Sequence, residues 1–220
     1  LKKQKYKRFY KCCANCGHWF TEMGIDLSKL YDGNYMDATY ENKIYENFKK
    51  IIKLPKKNSD NYYRVKIIIN FSNNFFINKK INLLDIGSGL GVFPYEVKKL
   101  GWKCTSIEPD KKASIHLKKN LKIDAVHADY LKLKFRKKFN VITLNKVLEH
   151  VRNPILMLSK IKKNLIKNNN FFYIEVPDAT EASKEGKYRE EFTIDHLHVF
   201  SMQSLMFLMK KSEFQNFKIQ

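Results

Sequence analysis

One carboxylate and three closely spaced glycines form the segment of this chain with the clearest chemistry. Asp85 precedes Gly87, Gly89 and Gly91 in the run LLDIGSGLG, residues 83–91. Glycines permit a tight turn and let backbone N–H groups approach a ligand closely, and the start of a helix favours such contacts. The pattern therefore predicts a ligand-binding loop with a negative charge at its edge.

Two regular elements must position this loop. The apolar run over residues 81–86 is typical of a buried strand, and residues 92–100 follow with helical spacing and Pro94 in the first turn. A strand, a glycine loop and a helix in this order are typical of nucleotide-binding α/β folds.

The spacing of the glycines indicates which ligand the loop suits. A dinucleotide-binding loop has the spacing G-x-G-x-x-G, and an adjacent acid would repel the pyrophosphate. This chain has G-x-G-x-G with an acid at the strand end, which favours a ligand with a positive charge. The segment resembles the first motif of the class I S-adenosyl-L-methionine-dependent methyltransferases. The resemblance implies a cofactor site that includes Asp85, Gly87, Ser88, Gly89 and Gly91. A nucleotide ligand or a purely structural loop is the alternative.

A second acid follows at the distance expected for ribose recognition. Residues 103–107 are predicted as a second strand that leads into Glu108. In α/β nucleotide folds a ribose-binding carboxylate lies roughly twenty residues after the glycines. We therefore assign Glu108 to the ribose diol, whereas Asp110 better suits the N-cap of a helix over residues 111–121.

A third acid follows a short predicted strand over residues 124–128. The family commonly has an acid at this place that accepts a hydrogen bond from the adenine amino group. The resemblance therefore implies that Asp129 and Tyr130 contact the cofactor. A simple turn aspartate is the alternative for Asp129.

The segment LNKVLEHVRNP, residues 144–154, follows a fourth predicted strand over residues 140–144. It closely resembles the motif after the fourth strand of many small-molecule methyltransferases. The resemblance implies that Asn145 faces the methionine part of the cofactor, while Leu148 is expected in the core.

Helices and strands alternate through the rest of the chain. We predict a helix over residues 154–166, a central strand covered on both faces over 171–176, a helix over 201–211 and a sixth strand over 216–220. The alternation predicts an α/β fold with a Rossmann-like, doubly wound, mostly parallel sheet of the class I methyltransferase type. Ligands of such sheets bind outside the carboxyl ends of the strands. The candidates at those ends are Asp85, Glu108, Asp129 and Asn145.

Two histidines are candidates for acid–base chemistry on a methyl acceptor, because a pKa near neutrality suits proton transfer. His196 lies in a segment, residues 193–201, that resembles the H-x-x-F/Y-[ST] sequence of polysaccharide-type methyltransferases. It is our first candidate for a base or an acceptor-positioning group, and His150 is the second. A hydrogen-bonded structural histidine is the alternative for each.

Residues 177–192 are expected to be irregular, and they would form a lid, an acceptor site or an exposed loop.

Two cysteines near the start have the spacing of a zinc knuckle, C-x-x-C-G, in which backbone N–H groups turn toward two thiolates. The segment with Cys13 and Cys16 resembles the second knuckle in the N-terminal zinc ribbon of sugar and surface-polysaccharide methyltransferases. This implies a structural zinc site that is incomplete in this chain. A third ligand from Cys12 or His18, or ordinary thiols, are the alternatives. Disulfides are not expected.

Three parts are expected along the chain. Residues 1–36 form a partial zinc-ribbon-like segment, residues 37–78 a helical cap or linker, and residues 79–220 a methyltransferase domain whose C-terminal end is incomplete. Two helices are predicted in the middle part, over residues 37–54 and 59–76. Because the first residue is a leucine, we expect a segment or a processed product.

The formal net charge of +20 raises the question of nucleic acid as a partner. Specific recognition of phosphates and bases favours arginine, which is scarce here, whereas lysine, asparagine and isoleucine abound. Their codons are all A/T-rich, which favours genome bias as the explanation. The basic surface still suits an anionic acceptor such as a nucleotide-linked sugar, a lipid phosphate or a polysaccharide precursor.

No apolar run approaches a membrane span and no signal-peptide pattern is present, so we expect a cytoplasmic protein. The sequence predicts an enzyme that transfers a methyl group in line from S-adenosylmethionine to a small molecule, a sugar or related metabolite. Two rival hypotheses stay open: an RNA methyltransferase, favoured by the charge, and a non-catalytic module that keeps the fold. The sequence gives no oligomeric state.

Overall fold

The structure is a computed structural model that describes residues 8–22, 43–76, 80–186, 189–193 and 195–219. The domain boundaries predicted at residues 36 and 78 lie outside the described residues, as do the first residues of the helix predicted from residue 37.

Eight strands, three of them only two residues long, and seven α-helices are found in the described part of the chain. The strands are β1 (Lys11–Cys12), β2 (Trp19–Phe20), β3 (Asn82–Ile86), β4 (Lys103–Glu108), β5 (Asp124–His127), β6 (Val141–Asn145), β7 (Phe171–Glu175) and β8 (His198–Val199). The helices are α1 (Ile44–Ile52), α2 (Asp60–Asn73), α3 (Val92–Lys99), α4 (Lys111–Lys119), α5 (Pro154–Asn164), α6 (Ala179–Glu185) and α7 (Met202–Lys211). Short 3₁₀ turns cover Lys56–Asn58, Leu148–His150 and Glu190–Phe192.

The chain divides into two compact units. We call Ser28–Asn145 with Lys163–Tyr173 the sheet unit. The hairpin unit consists of Leu1–Leu27, Lys146–Lys162 and Ile174–Gln220.

A five-stranded parallel sheet with the strand order β5-β4-β3-β6-β7 organises the fold, as predicted for a class I methyltransferase. The strand β3 lies in the middle of this sheet, and its apolar residues Leu83 and Leu84 are fully buried there. The strand β7 was predicted to be central, and this is wrong. It lies at the edge of the described sheet, and all its residues are only partly buried.

Helices cover this sheet and begin where capping residues stand. Asp110 caps α4, because its Oδ1 accepts from the backbone N–H of Ala113 at 3.0 Å, as the sequence predicted. Ser59 caps α2 in the same way, with 3.2 Å to the N–H of Tyr62. The core of the sheet unit includes fully buried side chains from α2, β3, α3, α4 and β6, which are Ile68, Leu83, Val97, Leu117 and Val141.

The hairpin unit contains a small antiparallel sheet. β1 pairs with β2, and β2 pairs with β8, with Trp19 opposite Val199. Trp19 also packs, together with Tyr10 and Phe192, on buried alanines of α6. This sheet therefore ties the cysteine-bearing start of the chain to residues close to the described end.

Two predictions for the second half of the chain were wrong. Residues 177–192 were expected to be irregular, but they contain α6, which Asp178 caps by accepting from the N–H of Thr180 at 2.8 Å. A strand was expected over 216–220, but the described residues 216–219 form none. Asn216 has a φ of 58°, in the left-handed region, which interrupts an extended backbone.

Among the described residues, no helix has the length and apolar character needed to cross a membrane.

Candidate functional site

The predicted glycine loop joins β3 to α3 and adopts a conformation that requires glycine. Gly87, Gly89 and Gly91 have φ values of 73°, 51° and 74°, all in the left-handed region. A Cβ atom at Gly91 would stand 2.4 Å from Leu117 and 2.7 Å from Leu121, so the backbone there packs tightly against neighbouring side chains. A Cβ at Gly89 would meet nothing within 4 Å, so this part of the loop leaves space.

Glu108, the predicted ribose ligand, lies at the end of β4 and binds the glycine loop. Its Oε2 accepts from the backbone N–H of Gly89 at 2.8 Å, and its Oε1 accepts from the N–H of Asp110 at 2.9 Å. Burial raises the pKa of Glu108 to about 7, although these two N–H donors favour the ionised form. The structure thus brings this carboxylate to the loop.

Asp85 lies at the end of β3 and is 1% exposed. The strand register sets it opposite Thr143 on β6. Its Oδ1 accepts from Thr143 Oγ1 at 2.6 Å and from Asn145 Nδ2 at 2.9 Å. Burial raises the pKa of Asp85 to about 6, against the effect of these hydrogen bonds. Ser88 in the loop also contacts this residue, since its hydroxyl donates to the backbone carbonyl of Asp85 at 3.3 Å.

The side-chain amide oxygen of Asn145 accepts no hydrogen bond from the described residues. Its nitrogen donates to Asp85, but its Oδ1 is buried and has no hydrogen-bond partner among the described residues. Such an atom costs about 1–3 kcal/mol if nothing binds it. A ligand that brings an N–H group would remove this cost.

Thr143 was not predicted as part of the site, although a signal was present. Residues two apart on a strand point to the same face. Thr143 and Asn145 on β6 therefore both reach Asp85.

The structure places Asp129 and Tyr130 differently from the other predicted cofactor residues. Asp129 is exposed, and its Oδ1 accepts from the N–H of Leu131 at 2.9 Å, as in a simple turn. Tyr130 is 3% exposed, and its hydroxyl donates to Asn164 at 2.9 Å. The side chain of Tyr130 thus belongs to the core, where burial raises the pKa of its hydroxyl, and its assignment to the cofactor stays a prediction.

The two candidate histidines come together in the hairpin unit. The rings of His150 and His196 meet edge to face with centroids 4.7 Å apart. The Nδ1 of His150 lies 2.9 Å from the backbone carbonyl of Asp195 and 3.6 Å from the carboxylate of that residue. The Nδ1 of His196 lies 2.8 Å from the backbone carbonyl of Glu191.

A third ionisable side chain joins these histidines. Glu149 is 1% exposed, and both of its carboxylate oxygens are buried without a hydrogen-bond partner in the described part of the chain. Burial raises the pKa of Glu149 to about 8. One of its oxygens and one nitrogen of each ring lie within 4.8 Å of one another. No local pattern in the sequence indicates that Glu149 lies beside the two histidines, because its burial depends on the distant segment that carries His196.

The predicted zinc knuckle forms a hairpin turn between β1 and β2. The N–H of Cys13 donates to the carbonyl of His18 at 2.8 Å, and the N–H of Gly17 donates to the carbonyl of Cys13 at 2.8 Å. The N–H groups of Cys16 and Asn15 lower the pKa of the Cys13 thiol, while burial raises that of Cys16.

The described residues do not complete a structural zinc site at this knuckle. It needs four ligands, and no group of three metal-binding side chains that includes Cys13 or Cys16 is found within the described ranges. Neither Cys12 nor His18 joins Cys13 and Cys16 in such a group among those residues. The ring of His18 instead faces His198, with 3.1 Å between Nε2 and Nδ1.

A comparison with protein families decides the identity of the fold. The family described as a methyltransferase domain matches residues 54–219, which is most of the chain. The chain belongs to this methyltransferase family.

This methyltransferase is similar to a curated relative, the ubiquinone biosynthesis O-methyltransferase of Pelagibacter ubique (strain HTCC1062). The two are 39% identical over 107 residues, which are 46% of this chain and 44% of the relative. The match thus spans less than half the length of the relative.

Solved methyltransferases share the fold. The plantazolicin methyltransferase BpumL, in complex with a monoazolic desmethylPZN analog and SAH, has a TM-score of 0.60 and 18% identity, over 83% of this chain and 74% of that chain. A possible histamine N-methyltransferase from Thermotoga maritima has a TM-score of 0.57 and 16% identity, over 83% and 81%. The glycopeptide N-methyltransferase MtfA has 0.57 and 11%, over 73% and 82%. These likenesses concern the fold alone.

Proposed function

We propose that this methyltransferase transfers a methyl group from S-adenosylmethionine to a small-molecule acceptor. The observation that supports it best is the unpartnered Oδ1 of Asn145 beside the carboxylate of Asp85. An ammonium group would donate to the first and neutralise the second. A pyrophosphate would do neither, because it carries acceptors and negative charge only.

The rest of the cofactor site follows from the glycine loop. We propose that the backbone of Gly87, Ser88, Gly89 and Gly91 lies against the cofactor. Glu108 would accept hydrogen bonds from the ribose hydroxyls, and its burial at the end of β4 holds it beside the loop. Asp129 as the adenine ligand stays a prediction.

Methyl transfer requires mainly that the protein align the methyl donor with the acceptor and exclude water. The bound cofactor would supply a methyl group on a sulfonium, which is already a good leaving group. We propose His196 first, and His150 second, as the side chains that position the acceptor or take its proton. Their backbone hydrogen bonds fix both rings in place.

Oxygen is the acceptor atom that the comparisons favour, because the curated relative is named as an O-methyltransferase of ubiquinone biosynthesis. We therefore propose a hydroxyl group of a small molecule. Sugars, nucleotide-linked sugars and related metabolites are the acceptors that the sequence predicts, and they should be tested beside intermediates of ubiquinone biosynthesis. The cytoplasmic location and the partial zinc ribbon stay predictions.

Calorimetry with the full chain tests the cofactor proposal. We expect S-adenosylhomocysteine, which keeps the ammonium group, to bind to the wild type and about tenfold or more weakly to Asn145→Leu, which lacks the acceptor. NAD should not bind. Binding of NAD without S-adenosylhomocysteine would overturn the proposal.

Activity is tested separately with S-adenosylmethionine labelled in its methyl group. Label should pass to a hydroxylated small molecule in a mixture of candidate acceptors. Cofactor binding without transfer to any acceptor would favour the non-catalytic module.

A further inference from the structure

The three glycines of the loop between β3 and α3 use their N–H groups within the sheet unit, each with a donor–acceptor distance of 2.8 Å. The acceptors for Gly87, Gly89 and Gly91 are, in turn, the carbonyl of Ile107, the carboxylate of Glu108 and the carbonyl of Ser88. No hydrogen bond from the N–H of Ser88 or of Leu90 to another described residue is found. These two N–H groups, which alternate with those of the glycines, are therefore available to a ligand.

Leu90 is held from several sides by the helix α4. Its side chain is 5% exposed and packs with Ala113 of that helix. Its backbone carbonyl lies 3.1 Å from Nε2 of His116, about one turn further along α4. Gly91 follows Leu90 directly, and a Cβ atom there would meet Leu117 of the same helix. One helix thus contacts the side chain of Leu90, its carbonyl and the residue after it.

His116 is 3% exposed, and both of its ring nitrogens make hydrogen bonds. Because the carbonyl of Leu90 only accepts hydrogen bonds, Nε2 must carry the proton. Nδ1 then keeps a lone pair, which accepts from the side-chain amide of Asn120 at 3.0 Å. Burial lowers the pKa of His116, which favours the neutral ring that this arrangement requires. The two partners therefore fix one tautomer and the direction of its N–H.

Aromatic side chains of α1 pack against the same ring. Phe48 meets the ring of His116 edge to face with centroids 5.5 Å apart, and Tyr45 lies at 6.1 Å. Phe48 is itself 3% exposed. Because these contacts restrict rotation of the ring, the hydrogen bond to Leu90 is kept in place.

We propose that His116 is a positioning residue of the cofactor site, which holds Leu90 so that the backbone N–H of Leu90 meets an oxygen acceptor of the bound cofactor. This inference rests on the proposed function, because the acceptor belongs to S-adenosylmethionine. The bond from His116 fixes the carbonyl of Leu90, and packing on Ala113 fixes its side chain. The N–H is therefore pre-organised before the cofactor arrives, which lowers the cost of binding.

Loss of the His116 donor should weaken cofactor binding through the loop. Without that donor the carbonyl of Leu90 loses its hydrogen bond, and the loop populates other conformations. The apparent affinity falls in proportion to the fraction of molecules that keep the competent conformation. Since a buried carbonyl without a donor is costly, we expect a loss of about tenfold.

Calorimetry of the full chain with S-adenosylhomocysteine tests this expectation. His116→Phe keeps a ring between α1 and α4 but has no N–H, so it should bind about tenfold more weakly than the wild type. His116→Gln keeps a side-chain N–H that can reach the carbonyl of Leu90, and it should recover most of the affinity. Equal affinity of the wild type and His116→Phe would overturn the inference alone. A wild type that does not bind S-adenosylhomocysteine would overturn the proposed function, and the inference with it.

A matched control separates positioning from general stability. Ile68→Val removes one methylene from a fully buried side chain of α2, in the same unit but away from Leu90. Its melting temperature should fall while its affinity for S-adenosylhomocysteine stays that of the wild type. A loss of affinity that follows the melting temperature in both His116→Phe and Ile68→Val would assign a purely structural role to His116.

Two NMR measurements do not depend on the folding of His116→Phe. Imidazole ¹⁵N spectra of the wild type, assigned with His116→Gln, should show His116 as a neutral ring with its proton on Nε2. A proton on Nδ1 instead would overturn the hydrogen bond whether or not the cofactor binds. The amide of Leu90 should exchange with solvent more slowly once S-adenosylhomocysteine is bound, because it then has an acceptor. Unchanged exchange in the saturated complex would contradict the role given to this N–H.

Discussion

Asp85 and Glu108 are buried carboxyl groups at the ends of adjacent strands, and burial raises their pKa values to about 6 and about 7. Below these values each group is protonated and loses the negative charge that a cationic ligand requires. Above these pKa values, hydrogen bonds from neighbouring groups offset the cost of burying each negative charge. The affinity for a positively charged nucleoside should therefore depend on pH in the neutral range.

We expect S-adenosylhomocysteine to bind more tightly as the pH rises from about 5 to 8, with the change centred near the pKa values of Asp85 and Glu108. Its ammonium keeps its charge over this range, so the change reports the protein. In Asp85→Asn the rise should flatten, and the affinity at pH 8 should fall by about 10- to 100-fold, since a hydrogen bond to a charged group is worth about 1.5–3 kcal/mol. Calorimetry across the pH range measures both.

The control for this experiment is Asp124→Asn, which changes an exposed aspartate at the start of β5. Its affinity should follow the wild type at every pH. Wild-type binding that stays constant from pH 5 to 8 would contradict the role of the two buried acids.

The elements of the site differ in how closely they pack, and the glycine loop illustrates this. Gly91, which precedes α3, lies against Leu117 and Leu121, whereas Gly89 has open space around its Cα atom. Both have a positive φ. A side chain at Gly91 must therefore distort the packing, but one at Gly89 only strains the backbone.

We expect Gly91→Ala to lower the free energy of unfolding by about 3 kcal/mol, because overpacking costs about 1–3 kcal/mol and the left-handed conformation about 1–2 kcal/mol. Gly89→Ala should cost only the second amount, about 1 kcal/mol. Urea unfolding followed by circular dichroism compares the two. Equal losses of stability in the two variants would show that the close packing of Gly91 against Leu117 and Leu121 adds no cost.

The sequence predicted most elements of the parallel sheet well, because apolar runs between turn residues have a local cause. The bounds of β3, β4 and α4 lie close to those predicted. The helix α6 was missed, because its polar composition hid the cap at Asp178. The edge position of β7 could not be predicted either, since the apolar composition of a strand does not determine which strands pair with it.

The site was only partly predictable for the same reason. Strand ends and a known motif predicted that Asp85, Glu108 and Asn145 would stand at the edge of the sheet near the glycine loop, and their contacts with a cofactor stay predictions. The core contact of Tyr130 was not predicted, because its partner, Asn164, stands 34 residues further along the chain. The burial of Glu149 likewise depends on contacts that no local pattern shows.

At the scale of the whole molecule, the formal net charge of +20 is the dominant property. Lysines spread over the surface attract any polyanion, and such attraction weakens steeply with salt. Specific recognition of RNA would need contacts that do not depend on charge alone. The charge therefore predicts weak and unselective binding of nucleic acid.

A gel-shift series with tRNA and with duplex DNA of similar length tests this. We expect both to bind about equally at 50 mM salt and to lose about 1,000-fold or more in affinity by 200 mM, as for a protein that makes several phosphate contacts. A strong preference for tRNA that survives at 200 mM would instead favour the RNA methyltransferase hypothesis.

The pairing of β2 with β8 has a consequence for biosynthesis. His18 and His198 face each other although 180 positions separate them. A ribosome adds about 5–20 residues per second, so the emerging knuckle must wait on the order of ten seconds or more for its partner strand. Strands β3 to β6 can meet well before that. The segment with the thiols of Cys12, Cys13 and Cys16 is therefore exposed to oxidation and to chaperones until β8 has left the ribosome.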